Sequence, residues 1–157
     1  MPSAIVGPEA SQLDAAEMTD SAPVPVPVPA PAPVQVVVYA KDVERLASFY
    51  QCALALAIAE QARTFVVLHG QGFEVAIVAM PEAAAAAIDL PSPPVPLEDT
   101  PIKPSFLVPS IEARRGAVTG AGGTLMPPEA AWTWRGQVHL DGVDPEGNVF
   151  QLRQPQA

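Results

Sequence analysis

The sequence predicts an α+β protein of two βαβββ modules in one chain. The modules are expected to form a curved, cup-shaped mixed sheet, preceded by a disordered Pro-rich N-terminal arm. Three observations predict this. The run from strand to helix cap in the first half, Gln35 to Asp42, has a counterpart in the second, Lys103 to Ser110, at an offset of 68 residues at both ends. After each run the pattern reads helix and then three strands. Six of the twenty prolines alternate along Pro23, Pro25, Pro27, Pro29, Pro31 and Pro33, which sets one segment apart from the rest. One βαβββ unit cannot close on itself. Two packed side by side bury their helices on one face and leave a concave face open for a ligand.

The arm is residues 1–33. Alternating proline with valine or alanine removes backbone donors and fixes φ, so neither helix nor central strand forms. Polyproline II, at about 3.1 Å per residue, is the conformation left to it. The folded domain is residues 34–155, with modules 34–80 and 102–153.

In the first module, VQVVVYA from Val34 to Ala40 is β-branched and apolar, a buried strand. Asp42 is a helix N-cap. Val43, Leu46, Phe49, Tyr50, Ala53 and Leu54 follow at helical spacing, so residues 43–54 form an amphipathic helix. Cys52 is expected to be a packed core thiol of that helix. Leu56 to Gln61 is a weak strand. Thr64 to Leu68 and Phe73 to Met80 flank Gly70-Gln71-Gly72 as a hairpin, with His69 exposed at the turn. Pro81 to Pro101 is a connector with a short helix in its alanine run.

In the second module, Ile102 to Val108 is a strand and Ser110 an N-cap. The helix from Ile111 stops at Gly120-Ala121-Gly122-Gly123. Gly123 to Met126 is a short strand and Pro127 to Ala131 a loop. Arg135 to Asp141 and Val149 to Arg153 are strands about a turn, Asp144-Pro145-Glu146-Gly147-Asn148. The acids of that turn look catalytic by composition and are read as turn formers.

Composition narrows the function. The net charge is −9; residues 1–34 hold Glu9, Asp14, Glu17 and Asp20 with no Lys or Arg, so −5 falls on residues 35–157. An acidic domain argues against nucleic acid and against an anionic membrane surface as partners. It points to a cationic or aromatic ligand. No run of about 18 apolar residues exists to span a bilayer. A single cysteine and the absence of a basic start and apolar block at Met1 to Ala10 point to the cytoplasm.

Three segments together resemble the vicinal-oxygen-chelate superfamily, which includes glyoxalase I, extradiol dioxygenases, and bleomycin- and fosfomycin-resistance proteins. They are VVVYAKDVERLASFY (36–50), IKPSFLVPSIEARRGAVTGAGG (102–123) and DGVDPEGNVFQLR (141–153). The resemblance covers nearly all of the folded domain. It implies a homodimer with a small molecule held between the modules. In the enzymes of the superfamily a divalent metal lies on the concave face, with ligands from the first and last strand of each half.

Carried onto this chain, the first-strand positions are Gln35 and Lys103. The last-strand positions are Gln151 and, by the same count from the turn glycine, Ala76, with Glu74 two residues earlier on the same strand face. Gln35 and Gln151 offer neutral amide oxygens, Ala76 offers nothing, and Lys103 brings a positive charge. The set reads as a lost metal centre, with no cofactor; a metal, if bound, would use Gln35, Glu74 and Gln151. Lys103 and Glu74 are expected to pair across the trough, the ammonium standing in for the ion. Trp132 and Trp134 precede the last hairpin and would line the mouth of the trough. Arg135 would meet an anionic group. His139 and Asp141 share one strand face. The function expected is small-molecule binding on the concave face without the family metal. The alternative is a metal-dependent lyase, isomerase or dioxygenase with a non-standard ligand set.

Overall fold

A computed structural model describes residues 30–157. The expectations for the arm lie outside the described residues, apart from its last four. The first module runs β1 (Gln35–Ala40), α1 (Val43–Leu54), β2 (Ala57–Ala62), β3 (Phe65–His69), β4 (Glu74–Ala79). A short helix, α2 (Glu82–Ala86), opens the connector. The second module runs β5 (Ser105–Leu107), α3 (Ile111–Gly120), β6 (Thr124–Leu125), β7 (Trp132–Trp134), β8 (Gln137–Val143), β9 (Val149–Pro155).

Each module makes its own mixed sheet. The orders are β1-β4-β3-β2 and β5-β9-β8-β6, with β7 also on β8. In both, the first strand lies parallel to the last and the remaining pairs are antiparallel. The repeat read from the sequence is therefore a repeat of topology. β6 and β7 pair with successive parts of β8, at Val143–Gly142 and at His139–Gln137. Together they stand where β2 stands in the first module. Pro127 and Pro128 break the strand between them into a short 3-10 turn, since neither can donate to a ladder. Trp132 and Trp134 thus belong to the sheet rather than preceding it.

Helix α1 forms where the apolar spacing places it. Asp42 caps it, its carboxylate accepting from the Arg45 amide at 3.0 Å. The buried face carries Leu46, Ala47, Phe49, Tyr50, Ala53 and Leu54. Cys52 falls on the other side of the helix and is exposed, so it is not a core thiol. The helix ends at Ala55 in the left-handed region, φ 54°. A Cβ costs about 1 kcal/mol there, and glycine is the usual occupant. Ala55→Gly is expected to stabilise the fold by about 0.5 kcal/mol, seen as a small rise in the midpoint of urea unfolding with an unchanged slope.

The modules meet through their helix-side faces. Phe49, Tyr50, Phe106 and Phe150 form an edge-to-face cluster, with ring centroids 5.0 to 6.3 Å apart. Two polar contacts cross the same junction. The Tyr50 hydroxyl donates to Asp144 Oδ2 at 2.8 Å. The Glu146 carboxylate accepts from the amides of Lys41 at 2.9 Å and Asp42 at 2.8 Å. The turn between β8 and β9 is therefore also a latch onto the start of α1. Burial pushes the Asp144 carboxyl above its usual range, against the pull of the hydrogen bonds it accepts. The Tyr50 phenol is raised well above its usual value by burial first and by the Asp144 charge second.

The connector crosses this latch as well. The Leu97 amide donates to Gly147 O at 2.9 Å, and the Lys41 ammonium donates to the Ile88 carbonyl. No helix among the described residues is long and apolar enough to cross a membrane.

Candidate functional site

The open faces of the two sheets carry the candidate residues. Alternation puts Val36, Val38 and Ala40 toward the helices and Gln35, Val37 and Tyr39 on the open side of β1. The parallel ladder pairs Gln35 with Glu74, and in the second module Ser105 with Gln151. These four are the equivalent positions of the two modules. Two sequence assignments change as a result. Ser105, not Lys103, matches Gln35, because the path from strand to cap is two residues shorter in the second module. Glu74, not Ala76, matches Gln151, because β8 and β9 pair for two rungs beyond Gln151, at Gly142–Phe150 and Val143–Val149, whereas the β3–β4 ladder ends at His69–Glu74. Pro104 is why β5 starts late: it has no amide to give, and only its carbonyl enters the ladder, accepting from the Gln151 amide at 2.9 Å.

On the first module Glu74 is buried and accepts from Gln35 Nε2 at 3.0 Å. His69 faces it from β3, with Nδ1 3.7 Å from Glu74 Oε1. That is beyond hydrogen-bond reach, and Nδ1 is buried with no partner. His69 is half-buried on the open face rather than exposed at a turn.

On the second module a continuous network replaces the expected ion pair. Lys103 Nζ donates to Asp141 Oδ2 at 2.6 Å, so Lys103 and Glu74 do not pair. Gln151 Nε2 donates to Asp141 Oδ1 at 3.2 Å. Gln151 Oε1 accepts from the Ser105 hydroxyl at 2.8 Å and lies 2.8 Å from His139 Nδ1. These contacts fix which way the amide points. His139 is buried, and Trp132 stacks on it at 5.4 Å with planes 18° apart. Lys103 lies over the Trp132 ring at 5.5 Å and Arg135 over the Trp134 ring at 5.5 Å. The Lys103–Asp141 pair is about one-third exposed on each side, so solvent screens it. Lys103→Ala is expected to cost less than about 1 kcal/mol, a fall of no more than roughly 3 °C in Tm.

This donor set does not fit a dication held in the family manner. The four equivalent positions supply one carboxylate, two amides and a hydroxyl. The amide oxygen of Gln151 already faces two partners, and the nearest further carboxylate, Asp141, is held by Lys103. No three or more His, Cys, Asp or Glu gather as a metal cluster among the described residues.

Residues 35–153 match the family model of the glyoxalase-like domain. The chain belongs to that family. Solved structures share the fold of this glyoxalase-like domain. One is a glyoxalase/bleomycin resistance protein/dioxygenase family enzyme from Burkholderia phytofirmans PsJN. It is 19% identical over 77% of this chain and 96% of that one, with a TM-score of 0.56. Another is a glyoxalase/bleomycin resistance protein from Albidiferax ferrireducens T118, 17% identical over 77% and 96%, TM-score 0.55. A third is the fosfomycin resistance protein FosX from Mesorhizobium loti, 12% identical over 78% and 90%, TM-score 0.54. At these identities the likeness speaks for the fold alone. No curated protein matches the sequence.

Proposed function

We propose that this glyoxalase-like domain binds a small molecule on its open sheet face without a family-type metal. The observation that carries the reading is the state of the four equivalent positions. Gln35, Glu74, Ser105 and Gln151 bond to neighbouring side chains rather than converging as free anionic donors. The proposed contact residues are Gln35, Glu74, Lys103, Gln151, Trp132, Trp134, Arg135 and His139. A homodimer is part of the reading, supported by the superfamily resemblance and checked by light scattering in solution. A cytoplasmic location is supported by the lone cysteine.

The test is metal stoichiometry. Untagged protein is assayed by elemental mass spectrometry, then titrated with nickel, zinc, manganese and ferrous iron while thermal stability is followed. No near-stoichiometric metal and no chelator-reversible stabilisation is the expected result. A bound metal with reversible stabilisation would overturn it in favour of a metal-dependent lyase, isomerase or dioxygenase. One observation favours that second reading: the buried Glu74 carboxylate lies beside the unpartnered Nδ1 of His69. Such an enzyme would draw on Gln35, Glu74 and Gln151, with His139 nearby.

A further inference from the structure

Resting on that reading of the open face, we propose that the ligand is a planar aromatic carboxylate. Its anionic end sits on Arg153 and Arg135, and its ring lies against Trp134. A cavity of about 440 Å³ opens on the second module's sheet, lined by Trp134, Arg135, Gln137, His139, Gln151 and Arg153 together with Ser105. That volume suits a ligand of one or two rings.

No Asp or Glu lines the cavity. Two guanidinium groups, from Arg135 and Arg153, are therefore the charged groups of the lining. Neither is in an ion pair among the described residues. Arg153 is half-buried and donates only to the neutral Gln137 Oε1, at 3.1 Å. Lys103, just before β5, has Asp141, so the nearest acid to this face is already taken. A partly desolvated guanidinium without a carboxylate is poised for one from outside, and its planar fork matches that group two bonds to two oxygens.

The turn points the same way. Arg135 and Gly136 link β7 to β8 with φ of 51° and 70°. A two-residue hairpin turn of this kind favours asparagine followed by glycine. Arginine here is explained by what it does: its guanidinium lies over Trp134, at the edge of the cavity. Trp134 is 61% exposed and Trp132 42%. Trp132 is already stacked on His139, so Trp134, which lines the cavity, is the indole that suits contact with a flat ring. The sign is opposite to the acidic balance of the domain. At contact range the lining decides, because charges more than about 8 Å away are largely screened at physiological salt.

The probes are 1-naphthoate, 1-naphthamide and (1-naphthylmethyl)ammonium, followed by tryptophan fluorescence and calorimetry on the full chain. Naphthoate is expected to quench saturably and to bind at least about 10-fold more tightly than the amide, with affinity falling as salt rises. Arg153→Gln and Arg135→Gln should each weaken naphthoate about 10-fold and leave the amide unchanged. Circular dichroism checks the fold of each variant. If Arg153→Gln does not fold, Arg135→Gln, on the exposed turn, carries the test. Equal or tighter binding of the amide or the ammonium, with both arginine variants indifferent, overturns the anionic class and leaves small-molecule binding intact. Failure of all three probes also overturns it. A broad fragment panel that finds no ligand at all would overturn the binding reading itself.

Discussion

Replacing Asp144 by alanine is expected to cost about 3 kcal/mol and to lower Tm by about 10 °C. The carboxylate is fully buried and is the hub of the latch between the modules. Oδ2 accepts from the Tyr50 hydroxyl and from Asn148 Nδ2, both at 2.8 Å. Oδ1 accepts from the amides of Glu146 at 2.9 Å and Asn148 at 3.0 Å. Alanine leaves the Tyr50 hydroxyl unpaired beneath an aromatic cluster, and a buried donor without a partner costs about 1 to 3 kcal/mol. It also frees the turn that presents Glu146 to the Lys41 and Asp42 amides.

Tyr50→Phe should cost only about 1 kcal/mol, because it removes one donor and leaves three on the carboxylate. Asp144→Asn separates charge from hydrogen bonding. The folded-state pKa of Asp144 is raised, so its contribution to stability is fully present below its unfolded value. It is lost as pH rises through the folded value. The penalty of Asp144→Asn relative to the native chain should therefore be larger in acid, below the ordinary aspartate range, than at neutral pH. Urea unfolding at several pH values reads this. A penalty that grows with rising pH would mean that the buried carboxylate is stabilised by its partners rather than strained by burial.

The local signals and the long-range ones differ in how far the sequence shows them. Helix α1 was legible because capping and 3.6-residue spacing are both local, and its bounds agree with the spacing at residues 43–54. The topological repeat was legible because strand and cap recur in order. The match of positions between modules was not. It depends on which residues share a rung, and the second module is two residues shorter before its cap and two rungs longer in its last hairpin. A slip of two keeps the face and changes the rung, so nothing in the hydrophobic pattern marks it.

For the site, Gln35, Glu74, Gln151 and His139 lie on the open faces of the two sheets. Lys103 and Glu74 were not brought together, because Asp141 lies nearer to the ammonium. The glycines that follow His69 mark a turn in the sequence, whereas one residue of further strand sets it opposite Glu74. Trp132 and Trp134 were read outside the sheet because two prolines separate them from β6. Strand residues that alternate Trp-Thr-Trp carried the signal for β7, in a run too short to stand out.

Gly123→Ala is expected to destabilise the fold by about 3 kcal/mol, although the change is a single methyl group. Gly123 has an ordinary backbone conformation; what it lacks is space. A Cβ would lie 2.4 Å from Phe49 Cε2 and 2.7 Å from the Val143 carbonyl oxygen. Phe49 is fully buried and edge-packed on Tyr50 and Phe150, so it has nowhere to rotate. The carbonyl belongs to the end of β8, where β6 pairs with it. Relief therefore requires either β6 to lift from β8 or α1 to move away from the second module. Gly116→Ala is the matched control: it lies within α3, where a Cβ meets nothing within 4 Å, and alanine is the better helix former by roughly 1 kcal/mol. Thermal melts should thus move in opposite directions for the two substitutions. Equal, small shifts would mean that the junction between α1 and β6 is looser than its contacts imply. The aromatic cluster, rather than the close approach at Gly123, would then hold the modules in place.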